Sequence, residues 1–95
     1  MLNLFRVSGN SMYPSLSSGD LIITRRTASL FVGDVVVYRT ETVGKIIKRI
    51  ADIDAQTVVL VGDNPRLASS FCGMSLNRSA IVGKLLIKVS VPFSS

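Results

Sequence analysis

Short apolar runs, separated by turn-forming residues, recur along the whole chain of 95 residues. Two of them, Leu21–Thr24 and Val35–Tyr38, directly follow a Gly-Asp pair, which is typical of a turn that leads into a strand. The same pattern predicts further strands at Leu4–Val7, Lys45–Ala51, Thr57–Val61 and Ile81–Val91. Helical periodicity is absent from the sequence, and Met12–Leu16 is expected to form one helical turn at most.

These strands predict an all-β fold, with residues 1–95 forming a single compact domain. We expect a coiled sheet or a partly open barrel. The segment Pro65–Arg78 is the least regular part of the sequence and is predicted to be a loop beside the functional end of the molecule.

Composition narrows the chemistry that the chain can perform. The sequence contains no histidine, which excludes a Ser-His-Asp triad, a Cys-His pair and most zinc sites. Its single cysteine, Cys72, cannot form an internal disulfide. Acid–base catalysis near neutral pH would therefore use Lys, Asp, Glu or Tyr, and no metal or organic cofactor is expected.

The net charge of +5 raises the question of an acidic partner. The basic residues are spread along the chain without interleaved aromatic residues or a basic helix, so no nucleic-acid partner is expected. The charge is explained either by a solvated basic surface or by contact with an acidic membrane surface. No apolar run approaches the ~20 residues that span a bilayer. The sequence therefore predicts a soluble, cytoplasmic protein or one peripheral at a membrane.

A candidate nucleophile, Ser11, lies in the segment SGNSMYPSLSSGD at Ser8–Asp20. A tight turn can project a serine hydroxyl and direct backbone N–H groups toward one point, as an oxyanion hole requires. The alternative is an ordinary serine-rich turn, because several other serines lie nearby.

A candidate base, Lys48, lies in the predicted strand KIIKRI. Alternation places Lys48 on the same side as Ile46 and Ile50, which is expected to face inward. Burial disfavours the charged ammonium, and a neutral amine can accept a proton from serine. The alternative is that the Lys48 stem packs while its amine reaches solvent. Arg49 is interpreted as the solvent-facing charge.

Three aspartates, Asp20, Asp34 and Asp63, each follow a glycine. They are interpreted as turn residues whose carboxylates accept hydrogen bonds from backbone N–H groups. Nothing in their spacing predicts a catalytic pair of carboxylates.

Taken together, the segments resemble the signal peptidase I family. SGNSMYPSLSSGD is similar to that family's serine box, IIKRI to its lysine box, and VGDN at Val61–Asn64 to its third box, in the same order. The resemblance extends from about Val7 to Val91. Short relatives that mature nickel superoxide dismutase share a similar GDNP, and self-cleaving repressors of the LexA type share the first two boxes.

The resemblance implies a serine endopeptidase with a fold of the LexA/signal peptidase type. Ser11 would be the acylating nucleophile and Lys48 its base, and the Ser11 backbone N–H would contribute to the oxyanion hole. Gly9 occupies the place of a serine that donates a hydroxyl in some members, so Ser8 or the backbone would act instead. Gly9, Asn10 and Met12 are thus assigned to the oxyanion hole and substrate cleft.

The sequence departs from the family after Asn64, where PRLASSFCG replaces a serine followed by Asp-Ser-Arg. Ser69 is the candidate for orienting the lysine amine. The expected partners are peptides or proteins, and the expected reaction is cleavage of leader peptides or pro-peptides after small residues. Two alternatives remain: a catalytically impaired pseudo-peptidase that binds peptides, and a peptidase domain of the LexA type.

Overall fold

The computed structural model describes residues 2–66 and 73–89. They form seven strands in one antiparallel sheet whose order is β1-β2-β7-β3-β4-β5-β6. The strands confirm the predicted all-β class, and the described sheet is open and does not close into a barrel. The strands are β1 (Leu2–Arg6), β2 (Leu21–Arg25), β3 (Val35–Arg39), β4 (Lys45–Ile53), β5 (Thr57–Val61), β6 (Ser75–Asn77) and β7 (Ile81–Val89).

Six of the seven strands lie where the apolar runs predicted them, with ends that differ by a few residues. The exception is β6, which lies in the segment that the sequence indicated as a loop. This strand has only three residues, and it pairs with β5 at the edge of the sheet. Such a short strand gives no periodicity of its own. A 3-10 helix at Arg78–Ala80 connects it to β7.

The apolar side chains form two clusters, which lie on opposite faces of β3. Strand β3 is buried along four consecutive residues, and alternation directs Val35 and Val37 to one cluster and Val36 and Tyr38 to the other. A strand buried on both faces appears in the sequence as a continuous apolar run, and VVVY is one.

The sheet curls so that its edge strand β1 comes to lie opposite β4. Phe5 of β1 packs on the same cluster as Ile47 of β4, and the Lys45 amine lies 5.2 Å from the centre of the Phe5 ring. Register shifts interrupt the β2–β7, β3–β7 and β4–β5 pairings. Bulges of this kind bend strands and increase their twist, which accounts for the curl. No helix within the described ranges is long and apolar enough to cross a membrane.

Candidate active site

The connection between β1 and β2 carries Ser11 and is closed at its base by backbone hydrogen bonds. Val7 N–H donates to the Asp20 carbonyl at 2.8 Å, and Gly19 N–H donates to the Val7 carbonyl at 2.8 Å. Between them, Leu16 N–H donates to the Met12 carbonyl at 2.9 Å, which is the single helical turn predicted from the sequence. Val7, Met12 and Leu16 are buried, so the core anchors this loop.

Ser11 itself follows a tight backbone reversal. Gly9 adopts a φ of +81°, a left-handed conformation that strains residues with a Cβ. Tyr13 N–H donates to the Asn10 carbonyl at 3.1 Å across the serine. Ser11 is thereby held in a partly exposed position on a loop with a fixed backbone.

Lys48 lies in the middle of β4, paired with Val36 of β3, and only 3% of its surface is exposed. The inward position predicted by alternation is therefore confirmed, and the amine does not extend far into solvent. The described ion pairs are Arg49–Asp63 and Lys84–Asp34, so Lys48 has no carboxylate partner among the described residues. A buried lysine without a counter-ion is costly in a structural role.

Ser11 and Lys48 line one cavity of about 360 Å³. Ser8 and Met12 contribute to the same wall as Ser11, and exposed Val43 lies at the rim. A shared cavity is one condition for a serine and a lysine to react together; the two side chains must also come within hydrogen-bond reach of each other.

Gly62 explains how the loop and the lysine approach each other. A Cβ on this residue would lie 2.7 Å from the Ser11 carbonyl oxygen and 3.4 Å from the Lys48 Nζ. The Ser11 carbonyl and the Lys48 amine therefore both lie close to residue 62, and any residue with a Cβ there would displace its neighbours. Here glycine is required for space, because the backbone φ of Gly62 is not left-handed.

Asn64 fastens the serine loop to the end of β5. Its backbone N–H donates to the Ser11 carbonyl at 2.9 Å, and its Nδ2 donates to the Asn10 carbonyl at 2.8 Å. The Asn64 Oδ1 in turn accepts from Arg66 N–H at 3.0 Å. Asn64 thus binds the carbonyls of both Asn10 and Ser11, the first through its side chain and the second through its backbone N–H.

Asp63 differs from the turn residue that the sequence suggested. Its carboxylate accepts two hydrogen bonds from Arg49, from Nε at 2.8 Å and Nη2 at 2.6 Å. Arg49 also donates from Nη1 to the Gly33 carbonyl at 2.7 Å, so this charge faces solvent in part, with 33% of its side chain exposed, and is also held by two partners. Asp20 and Asp34 do accept backbone N–H bonds, from Ser17 and Phe31 respectively.

The Arg49–Asp63 pair changes the titration of both groups. The hydrogen bonds from Arg49 lower the pKa of Asp63 and outweigh burial, which raises it, and the neighbouring Ser15 side chain lowers it slightly further. The same contact raises the pKa of Arg49. The pair therefore stays ionised and fixes the turn that contains Gly62 and Asn64 relative to β4.

The residues assigned from the resemblance are placed as follows. Met12 is 1% exposed, so it is mainly a core anchor whose surface forms part of the cavity wall. Gly9 shapes the loop, and Asn10 lies on its far side, where it lines a separate cavity with Tyr13 and Pro65. Ser69 lies outside the described residues. Sequence reasoning missed the pairing of Arg49 with Asp63, for which no local signal exists.

A metal centre or a larger cavity would be another kind of functional site within the described residues. Within residues 2–66 and 73–89, no group of three or more His, Cys, Asp or Glu side chains could hold a metal ion. The largest of the cavities found among these residues, about 970 Å³, lies at the other end of β5, around Gln56 and Arg78. It contains neither Ser11 nor Lys48, and size alone does not make it the reactive site.

Comparison with known proteins agrees with this geometry. No curated protein matched the sequence. The profile described as "Peptidase S24-like" matches residues 2–86, which is most of the chain and includes the Ser11 loop, β4 and the Gly62–Asn64 turn. The match confirms the predicted relation to peptidases of the LexA/signal peptidase type: the chain belongs to the Peptidase S24-like family.

Proposed function

We propose that this peptidase-type domain is a serine endopeptidase in which Ser11 is the nucleophile and Lys48 the general base. The observation that carries the proposal is the shared cavity, onto which the partly exposed Ser11 and the buried Lys48 both open. Because the chain has no histidine, lysine is the base that remains beside this serine.

The reaction follows from these two groups. Acting as the general base, the Lys48 amine accepts the Ser11 hydroxyl proton as the serine oxygen bonds to the carbonyl carbon of the scissile peptide. Backbone N–H groups of the Ser11 loop stabilise the oxyanion, and the Ser8 hydroxyl is a further candidate donor because it lines the same cavity. When the C–N bond breaks, Lys48 returns the proton to the leaving amine. Lys48 then deprotonates a water molecule, which hydrolyses the acyl-enzyme ester and frees Ser11.

The substrates we propose are leader peptides or pro-peptides, bound in extended form and cut after small residues. Extended binding is supported by the position of β1, which pairs with β2 alone among the described strands and borders the cavity at Arg6, its last residue. An incoming strand can add to such an edge through backbone hydrogen bonds.

The test is cleavage of a library of leader-type peptides by the wild-type chain and by Ser11→Ala and Lys48→Met variants. We expect each substitution to lower kcat by about 100-fold or more, since each removes a reacting group. Ser18→Ala is the matched control, because this exposed serine lies in the same loop but not on the cavity, and it should retain full activity. Intact mass spectrometry of the wild type should detect an acyl adduct that is missing from Ser11→Ala.

Two outcomes would contradict the mechanism. Cleavage that persists in Ser11→Ala or Lys48→Met would exclude the Ser–Lys pair. Folded wild-type protein that binds the peptides without cutting any of them would instead identify a peptide-binding pseudo-peptidase.

A further inference from the structure

A second cavity extends the proposed active site along the edge of the sheet. Its volume is about 510 Å³, and its lining includes Asn3 and Phe5 of β1 on one side and Arg39 and Lys45 on the other. Lys45 also lines the cavity that contains Ser11 and Lys48. The two cavities are therefore adjacent, and together they border β1 from Asn3 to the Ser11 loop, so we treat them as one trough.

The trough is strongly basic. Four exposed cations line it, and no Asp or Glu lines either cavity. In the part of the chain that the structure describes, none of the four takes part in an ion pair. We call this set the basic trough, and its members are Arg6, Arg26, Arg39 and Lys45.

Positive charge is more concentrated in the basic trough than the composition of the whole chain would predict. The whole chain has 11 basic and 6 acidic residues, whereas the basic trough combines four exposed cations with no acidic lining residue. Like charges placed close together repel one another in the free protein, and a bound anion relieves that repulsion. Lys45 lies over the Phe5 ring, 5.2 Å from its centre, which holds this cation across the trough.

The dimensions of the trough suit a peptide strand. The edge of β1 that no described strand covers runs for five residues, and at ~3.3 Å per residue it spans roughly 16 Å from the Ser11 loop. A peptide that adds to this edge would place about five residues beside the basic trough, with alternate side chains directed toward the cations.

We propose that the basic trough selects peptides that carry acidic side chains on one flank of the scissile bond, within roughly five residues of it. This inference rests on the proposed function, for which it names the substrate class. The small residue next to the bond would set the cleavage position. The acidic side chains beside the bond would determine which substrate peptides bind.

Binding can be tested separately from catalysis. The Ser11→Ala variant is titrated by fluorescence anisotropy with three labelled peptides that share a core sequence and differ in one flank, which carries two Glu, two Gln or two Lys. We expect the Glu peptide to bind about tenfold more tightly than the Gln peptide, or about threefold per charge, with the Lys peptide weakest. Raising the salt concentration should remove most of the difference, since exposed charges are screened.

Charge variants locate the effect. Arg39→Gln and Lys45→Gln, each in the Ser11→Ala background, should each reduce the Glu-over-Gln preference by about threefold. Arg25→Gln removes the same charge from the exposed end of β2 without lining either cavity, and it should leave the preference unchanged. Equal binding of the Glu and Gln peptides, or an Arg25→Gln effect as large as the other two, would overturn the proposal.

Wild-type kinetics distinguish this inference from the proposed function. If the peptides are cut, the Glu flank should raise kcat/KM mainly through a lower KM. Cleavage without any dependence on the flank would contradict the charge selection and support the endopeptidase. Charge-selective binding without cleavage would support the basic trough and contradict the endopeptidase.

Discussion

The two ends of the β4–β5 hairpin are built in different ways. At the tight turn, the Asp54 carboxylate accepts hydrogen bonds from Gln56 N–H at 2.8 Å and Thr57 N–H at 2.7 Å, so its partners lie within three residues, while the Asp54 carbonyl also accepts a bond from Arg78 Nη1. At the opposite end, Asn64 bonds to Asn10, 54 positions away in the sequence, and Gly62 receives the Ser11 loop. The carboxylate contacts at the first end are local, whereas the contacts at the second end exist only when the whole sheet has formed.

Charge is used differently at the two ends as well. The pKa of Asp54 is lowered chiefly by the backbone N–H groups of Gln56 and Thr57, on a fully exposed turn. The pKa of Asp63 is lowered chiefly by Arg49, from a neighbouring strand. A change at Asp54 should thus remain local, while a change at the Asp63 end should reach the candidate catalytic residues.

The largest effect is expected from Gly62→Ala. The added Cβ would overlap the Ser11 carbonyl oxygen, at 2.7 Å, and touch the Lys48 amine, at 3.4 Å, so the Ser11 backbone or the backbone of residue 62 must move. A displacement of this size should lower kcat by about 100-fold. Peptide cleavage assays measure the loss, and thermal unfolding measures the accompanying change in stability.

Gly83→Ala is the matched control for that substitution. Its Cβ would also be crowded, at 2.9 Å from the buried Thr24 Oγ1, but away from Ser11. We expect both variants to lose stability by about 1–3 kcal/mol, and only Gly62→Ala to lose activity beyond that. Similar activities in the two variants at a temperature where both are folded would show that the Gly62 contact does not position the site.

The next effect is expected from Asp63→Asn, which removes the carboxylate that Arg49 holds. The loss of these charge-assisted hydrogen bonds should cost about 1–2 kcal/mol, since the pair is partly exposed. The folded-state pKa of Asp63 lies below its unfolded value of about 3.9, so the contribution is complete above that pH and is lost as the pH falls through the folded-state pKa. Urea unfolding at pH 7 and at lower pH values measures it.

Asp54→Asn gives the comparison at the other end. An asparagine oxygen can still accept the two backbone N–H bonds of the turn, so stability should change less and cleavage should remain at the wild-type rate. If Asp63→Asn also left cleavage unchanged, the Arg49–Asp63 pair would be a stabilising contact without influence on the site.

The smallest effect is expected from Asn64→Ala, which removes the side-chain bonds to the Asn10 carbonyl and from Arg66 N–H but keeps the backbone bond to Ser11. One exposed hydrogen bond is worth about 1 kcal/mol, so the correctly held loop should be populated about fivefold less. Hydrogen exchange of the Ser11 loop and kcat measure this. Asn77→Ala, which removes the cap of the 3-10 helix, should change neither.

The sequence indicated the strands well where apolar runs are bounded by turn residues. Val35–Arg39 is an example, because a continuous β-branched run between Gly-Asp and polar residues has few other stable conformations. Strand β6 was not predicted, because its three mostly polar residues pair only when the edge of β5 is already present. The sequence also indicated Ser11, Lys48 and the Gly62–Asn64 segment as separate candidates, through residue type and resemblance.

The sequence by itself determined the chemistry open to this protein: without histidine, a serine needs another base, and alternation places Lys48 inward. Only the tertiary structure decided that Ser11 and Lys48 share a cavity, that Arg49 binds Asp63, and that the basic trough leads to Ser11. The physical reason is separation along the chain. Local patterns specify the conformation of a segment, whereas contacts between distant residues depend on how the whole sheet curls and packs.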